Sequence, residues 1–522
     1  MLKKLHGRKL AVCLIGGAMY ALFSAFGWQA EHGGVIWAGG ALLVAALLVW
    51  PIAALLAVLL ERGYTRALRR EKTFRAGRAF AFILACYVPM FCVAFPGSFA
   101  YDVPYQLRQV VTGAYSTHHP LLHTLALGGL LQLGRALGDI NLGAALYTAL
   151  QMALLAGCFA LTCGSIARQS GARAAKRAAV FFALYPLNMV MAVNATKDVL
   201  FGGFFALTLA LLNEIQEKPS RGLALKIAAC GALAVMLRNN MAYAALVWLV
   251  ILTLGLRKAE KSAALAMLLA LAVGLCGNAA LKHATRAESG DMSEMLSWPI
   301  QQLARARLYD EERLTDAEKE AIDELMPGEA WACYDPTISD PVKFEFDTQA
   351  FRADVKKYVG VWLSVGKKCA GTYLDATMAL TYPFFYPYRE YRVSGYYVQM
   401  GMSDAYDAGW CDFDPPESRS LFPRALASLS WRFGAKGAMQ IPVVGWLFNM
   451  GVIVWTMLFF ALREMYWGRW RRFGTALLPV LLWGTFLLGP VMAGRYIYPF
   501  VCALPVLAAR PGRSVKEAER HG

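Results

Sequence analysis

Long apolar runs constrain this chain more than any other feature. They last roughly 15 to 27 residues, the length needed to cross a hydrocarbon layer about 30 Å thick. They lie near 9–28, 34–60, 79–95, 141–165, 179–193, 199–213, 223–238, 241–256, 262–284, 438–462, 475–493 and 496–510. Backbone in lipid must satisfy its own polar groups, so runs of this kind become helices. The pattern predicts an all-α polytopic membrane protein with about twelve transmembrane helices. Small residues typical of a cleavage site do not follow the first run, which reads as a span rather than a signal peptide.

Charge sets the expected orientation. With the N-terminus inside, the cytoplasmic pieces are MLKKLHGRK, ERGYTRALRREKTFRAGR, RQSGARAAKRA, QEKPSRG, RKAEKS, REMYWGRWRRFG and the tail, and each carries at least two Lys or Arg. The outward turns carry few: Lys197, Arg238 and Arg495, with Arg108 and Arg135 in the longer segment 96–140. This asymmetry places both termini in the cytoplasm. The Ala/Leu/Gly/Arg-rich composition suits a bacterial inner (plasma) membrane. A formal charge of +16, from 52 Lys and Arg against 36 Asp and Glu, raises the question of a nucleic-acid surface. Most of that charge falls in the cytoplasmic fringe, where it sets topology and meets anionic membrane lipid. A nucleic-acid partner is therefore not expected.

The runs divide the chain into three parts. Residues 1–284 form an N-terminal transmembrane region with a first outward loop at 96–140. Residues 285–437 form an extracytoplasmic domain, expected to be of mixed structure, between helices 9 and 10. Residues 438–522 hold the C-terminal helices and tail. Within the domain, LTDAEKEAIDELM (314–326) reads as a helix with Thr315 as N-cap and Glu318 closing a capping box. The stretch TYPFFYPYREYRVSGYYVQM (381–400) is aromatic and broken by prolines. Residues 403–417 space their aspartates so that they either chelate a divalent cation or form a solvated acidic loop. Cys333, Cys369 and Cys411 lie on the outward side and allow one disulfide at most, with the pairing open. The chain has no CxxC, HExxH or Walker motif, and no GxGxxG beside a strand. No cofactor is required on this reading; a divalent metal is allowed but not predicted.

The most informative stretch is FPGSFAYDVPYQLRQVVTGAYSTHHPLLHTLALGGLLQLGRALGD (95–139). It delivers Asp102, flanked by Tyr101, just outside the third span, and then His118, His119 and His123. A carboxylate, imidazoles and tyrosines at the membrane edge make a proton-transfer site, or alternatively an interfacial loop with headgroup anchors. The apolar segment 120–137 reads as a helix lying in the interface. In NATKDVLFG (194–202), Lys197 offers a point charge to a lipid-linked phosphate. Asp198 there holds Lys197, fixes an acceptor hydroxyl or complements a helix dipole. A cap on Asn194 or Thr196 accounts for the turn but not for the lysine. In GRYIYPF (494–500), Arg495 presents a planar fork suited to phosphate, with Tyr498 following; aromatic anchoring is the other reading. Arg238 in MLRNNMAY is a further outward cation at the same depth.

The order of these elements is a span, an immediate outward Asp, interfacial helices with an H-P element, then a second span. It resembles the first loop of the GT-C superfamily of integral-membrane glycosyltransferases, of the polyprenyl-phosphate-sugar-dependent type. YSTHHPLLHTL is similar to that superfamily's H-x-x-x-P-P-L-x-Y-x-L segment, with one proline absent. NATKDVLFG resembles its small-residue–Lys–Asp/Glu turn, and GRYIYPF the R-Y-x-x-P start of its final helix. The resemblance implies a glycosyltransferase with a polyprenyl-phosphate sugar donor and a glycan, lipid or protein acceptor. It makes Asp102 the base in an inverting displacement. Lys197, Asp198, Arg495, Tyr101, His118, His119, Arg238 and Tyr498 would then bind substrate. Two other classes share the layout: a transporter or flippase of lipid-linked saccharides, and an O-antigen polymerase- or ligase-like enzyme that relies on arginines.

Overall fold

The computed structural model describes residues 5–32, 39–62, 74–255, 261–387, 398–402, 415–434, 441 and 443–510. Apolar runs become helices at nearly every expected place: α1 (Arg8–His32), α2 (Gly39–Arg62), α3 (Ala76–Ala94), α6 (Ile140–Ser170), α9 (Lys197–Glu217), α10 (Arg221–Leu237), α11 (Asn239–Gly255) and α12 (Lys261–Thr285). Between α3 and α6 lie the shorter α4 (Val103–Thr112) and α5 (Leu121–Ala136). The run at 179–193 is split into α7 (Ala172–Leu184) and α8 (Pro186–Ala192), because Pro186 cannot continue the preceding hydrogen-bond ladder.

Among the described residues six of the expected twelve helices are long and apolar enough, by length and composition, to cross a membrane: α1, α2, α3, α6, α9 and α12. Helix α11 and the stretch Gly494–Ala508 are apolar but shorter. These features make the chain an integral membrane protein. The shortfall has local causes, such as the break at Pro186 and the arginine pair Arg471–Arg472 in the penultimate apolar helix.

The segment after α12 is helical, which corrects the expectation of mixed structure. It comprises α13 (Ser297–Tyr309), α14 (Asp316–Leu325), α15 (Asp340–Lys343), α16 (Thr348–Ala353), α17 (Val355–Lys368) and α18 (Ala370–Thr381). Only isolated β-bridges occur among the described residues. Ile300, Leu303, Ile322, Leu325, Val342 and Val365 form a core separate from that of the main bundle. The capping box is present: the Thr315 side chain accepts from Glu318 N–H, and Glu318 Oε2 accepts from Thr315 N–H at 2.8 Å. Tyr382, Phe384, Phe385 and Tyr386 leave this domain and bury themselves in the bundle core, so the described part of the aromatic stretch belongs to the bundle; residues 388–397 lie outside the described residues. Cys333 and Cys369 are both free. Cys411 and the acidic residues 403–414 lie outside the described residues.

Helices α19 (Pro423–Gly434), α20 (Met450–Tyr466), α21 (Trp470–Leu487) and α22 (Tyr498–Ala508) complete the chain. Helix α20 begins at Met450 rather than near 438. The C-terminal helix packs on α9 where Gly202 leaves room, since a Cβ there would meet Cys502 Sγ at 2.9 Å and the Tyr498 ring at 3.0 Å. The helical segment after α12 docks on the α21–α22 connection: Trp298 Nε1 donates to Leu487 O at 2.6 Å, and Ser339 N–H donates to Pro490 O at 2.9 Å.

Candidate functional site

Three turns far apart in sequence meet at one end of the bundle. Residues 95–102 leave α3 and are stitched to the α8–α9 turn: Ser98 N–H donates to Val193 O, and Ala195 N–H donates to Ser98 O, both at 2.8 Å. On the other side Phe99 N–H donates to Gly401 O at 2.9 Å. Tyr101 adopts φ +55°, a left-handed conformation that costs a non-glycine residue on the order of 1–3 kcal/mol. Gln399 holds it there, its backbone N–H donating to the Tyr101 hydroxyl. The next residue, Asp102, sits at the N-cap of α4 but makes no side-chain cap bond, so its carboxylate is free to face the site.

That carboxylate is gripped by two cations from the other turns. Lys197 Nζ lies 3.1 Å from Oδ2. Arg495 binds both oxygens, Nη1 to Oδ2 at 3.2 Å and Nη2 to Oδ1 at 3.3 Å. His119 Nδ1 stands 3.7 Å from Oδ2 and has no hydrogen-bond partner among the described residues. Burial alone would push the Asp102 carboxyl up, but the charges of Arg495 and Lys197 hold it well below the usual range. Burial outweighs the pull of Asp102 on His119 and lowers that imidazole to about 3, so the ring is neutral near pH 7.

Beneath this layer Asp198, fully buried, pairs with Arg238 Nη1, accepts from Thr196 Oγ1 at 3.2 Å and lies 3.9 Å from Arg495 Nε. Asn194 and Thr196 do not cap α9 with their side chains: Asn194 Nδ2 donates back to Val190 O at 3.2 Å, and Thr196 makes no cap bond. Neither side chain caps the helix, and Asp198, in the first turn of α9, pairs with the arginines. Counted as formal charges, Lys197, Arg238 and Arg495 face Asp102 and Asp198. One positive charge is left over.

The arginines are fixed by rings as well as by acids. Arg495 lies 4.5 Å from the Tyr101 ring centroid and 5.3 Å from that of Tyr496. Arg238 lies 4.6 Å from Tyr496 and 4.4 Å from Phe486. Tyr496 thus contacts both guanidiniums, and the rings of Phe486 and Tyr496, themselves 6.0 Å apart, meet Arg238 from adjacent sides.

A buried chain of neutral groups braces the site from behind. Gln106 Nε2 donates to His123 Nδ1 at 3.0 Å, and His123 Nε2 meets the Tyr147 hydroxyl at 2.9 Å. Tyr147 in turn donates to Gln151 Oε1 at 3.0 Å. Gln151 Nε2 ends the chain on Ala192 O at 3.0 Å and Asn194 O at 2.8 Å. Gln106 also presents Oε1 to the same Nδ1 at 3.1 Å, so the chain accommodates the His123 proton on either ring nitrogen. Burial, with Lys197 adding to it, lowers His123 to about 3.

Of the residues singled out by sequence, Asp102, Lys197, Asp198, Arg238, Arg495, Tyr101 and His119 come together. His118 is exposed at the rim, edge-on to His119 with ring centroids 4.6 Å apart. Tyr498 does not join them: it is fully buried against Gly202 and Cys502 in the bundle core, because its helix position faces α9. Sequence reasoning missed Tyr496, Phe486, Gln399, Tyr147 and Gln151 as site residues. A signal existed for Gln151, a polar residue in the middle of an otherwise apolar span. Among the described residues no group of three or more His, Cys, Asp or Glu is placed to hold a metal ion.

No curated protein and no solved structure matches this chain. A family model described only as a family of unknown function (DUF6020) matches residues 112–521, a span that contains His118, His119, Lys197, Asp198, Arg238 and Arg495 and begins after Asp102. That match covers most of the 522 residues, and the chain belongs to the DUF6020 family.

Proposed function

We propose that this protein is a membrane glycosyltransferase that moves a sugar from a polyprenyl-phosphate donor to a glycan, lipid or protein acceptor, with inversion at the anomeric carbon. The observation that carries the reading is the meeting of Asp102, Lys197 and Arg495, from three separate turns, at one end of an apolar helical bundle. On this reading that end faces outward from a bacterial inner membrane and both termini are cytoplasmic. The donor's prenyl chain stays in lipid while its phosphate reaches Lys197 and Arg495. The outer helical domain, docked on the α21–α22 connection, bounds the side from which the acceptor arrives.

The step balances in bonds and in charge. The acceptor oxygen bonds to the anomeric carbon, the carbon–oxygen bond to phosphate breaks, and Asp102 takes the acceptor proton. The donor phosphodiester carries one negative charge and the departing polyprenyl monoester carries two. Three cations, two carboxylates and the diester sum to zero before transfer. The same cations, one carboxylate, a protonated Asp102 and the monoester sum to zero afterwards. The site thus meets the charge that develops on phosphate with fixed cations and no net imbalance. No nucleotide or cofactor is needed.

Incubating purified protein with polyprenyl-phosphate sugars and a membrane glycolipid fraction tests the reading through sugar transfer. Asp102→Asn should abolish turnover. Full activity in that variant, with loss on substituting Arg495 or Arg238, would move the protein to the arginine-dependent polymerase or ligase class.

A further inference from the structure

Asp102 occupies the very donors that the proposed function gives to phosphate. Lys197 Nζ and both terminal nitrogens of Arg495 each direct one N–H at its two oxygens, so the face of the cation pair that points into the site is covered by the carboxylate. The remaining Arg495 nitrogen, Nε, has no hydrogen-bond partner among the described residues and lies 3.9 Å from Asp198. A phosphate cannot take the same N–H groups while the carboxylate holds them. Next to the carboxylate, however, stands an unused polar atom. His119 is 6% exposed, and its Nδ1 has no hydrogen-bond partner among the described residues. The nearer Asp102 oxygen, Oδ2, already stands 3.7 Å from that nitrogen.

We infer that in the resting protein Asp102 stands in for the donor phosphate on Lys197 and Arg495, and that an arriving prenyl phosphate displaces it onto His119. The inference rests on the phosphate reading of those two cations. Displacement changes what Asp102 can do. While doubly ion-paired it is a poor proton acceptor. Beside a neutral imidazole, with its cations given over to phosphate, it is a better one. Base and donor are thereby coupled, so the acceptor is activated only when a donor is in place, and an empty site does not activate water. His119 is a positioning residue here, since it acts through Asp102.

The coupling has a thermodynamic consequence that needs no sugar and no turnover. A site whose cations are occupied by an internal anion binds an external one more weakly, by the fraction of time the cations are free. Removing the internal anion restores the intrinsic affinity. The test is binding of undecaprenyl phosphate to the full-length protein in lipid nanodiscs, with undecaprenol as the uncharged control. Asp102→Asn should bind the phosphate about tenfold tighter or more, which corresponds to a cation pair free less than about a tenth of the time. Asp102→Glu, which keeps an anion in place, should stay near the wild type. His119→Ala should weaken binding in the wild-type background, where the displaced carboxylate loses its new partner, and have no effect in the Asp102→Asn background. A purely structural role for His119 would weaken both.

Unchanged or weaker binding in a folded Asp102→Asn protein overturns the stand-in role while leaving the phosphate site intact. Undiminished binding in Lys197→Gln and Arg495→Gln has a different meaning, because it removes the phosphate site itself and the proposed function with it.

Discussion

The buried pair Asp198–Arg238 offers the sharpest energetic test. Asp198 is fully buried, the Arg238 side chain is 9% exposed, and the rings of Phe486 and Tyr496 lie 4.4 and 4.6 Å from the guanidinium. Asp198→Asn keeps the shape and the Thr196 contact but strips Arg238 of its counter-charge. Breaking a buried pair from one side costs about 3–5 kcal/mol, because the remaining ion is stranded in a medium of low dielectric. At about 1.4 kcal/mol per decade, that is two to three and a half powers of ten in the folding equilibrium. The double variant Asp198→Asn/Arg238→Met removes both charges and fills the same slot beside the two rings. Replacing both members of such a pair with uncharged groups is commonly neutral or stabilising, so the double variant should recover more than half of the loss. Reversible unfolding of the detergent-solubilised protein in increasing sodium dodecyl sulfate, followed by tryptophan fluorescence, measures all three differences. An Asp198→Asn variant within about 0.5 kcal/mol of wild type, or a double variant no more stable than Asp198→Asn alone, would refute the assignment of Asp198 as the counter-ion of Arg238.

Other outcomes follow from the same geometry. His119 and His123 are neutral in the folded state, with values near 3 against about 6.5 unfolded. Each therefore contributes fully above pH 6.5, and stability falls as pH drops below it by about 1.4 kcal/mol per unit per residue. His123→Gln should remove that share of the slope between pH 6.5 and 5, as read by unfolding at fixed pH values. Asp102, held low, adds nothing to the slope in this window, since its contribution is lost only as pH falls through its depressed folded value. Gln151→Leu leaves the Tyr147 hydroxyl and two buried carbonyls without their partner, which should cost roughly 1–3 kcal/mol and lower undecaprenyl phosphate affinity through a loosened Lys197 turn. In Gly143→Val the new Cβ would lie 2.3 Å from Leu130 O, so α5 must separate from α6. Thermal unfolding should register a loss on the order of 1–3 kcal/mol or more, and sugar transfer should fall with it.

The apolar runs made the helices readable, because hydropathy over about twenty residues integrates enough sequence to outweigh local noise. Ends and breaks were less readable. Pro186 splits a run whose average hydropathy hides it, and α20 starts at Met450 because the apolar run beginning near 438 is longer than its helix. Orientation logic found the site: Lys197, Arg238 and Arg495 are cations in turns where the charge pattern calls for few, and they proved to be in contact with the acids of the same end. What no local pattern carries is partnership. Asp198 could read as a cap, a substrate ligand or a counter-ion until Arg238, forty residues away, is seen against it. Tyr496 and Tyr498 share one motif, yet one contacts two guanidiniums and the other lies in the core, since a two-residue step near a helix start rotates the side chain to another face.

Charge in this site is graded by depth, and the gradient sorts roles. Side-chain exposure falls from 24% at Asp102 through 15% at Lys197, 11% at Arg495 and 9% at Arg238 to 0% at Asp198. An ion that must change partners or protonation needs access to water or ligand, whereas a fixed one is best held dry, where its field is strongest. Asp102 and Lys197, the most exposed, are the pair whose contacts must change if a phosphate enters. Arg495 bridges the layers, giving its terminal nitrogens to Asp102 and its Nε side to Asp198. Arg238 and Asp198 stay constant, and their cost of burial is offset by their pairing and by the two rings on Arg238. The deeper layer is therefore neutral in itself, and the unmatched positive charge belongs to the exposed layer. An anion drawn to that excess meets first the two cations whose present partner can leave.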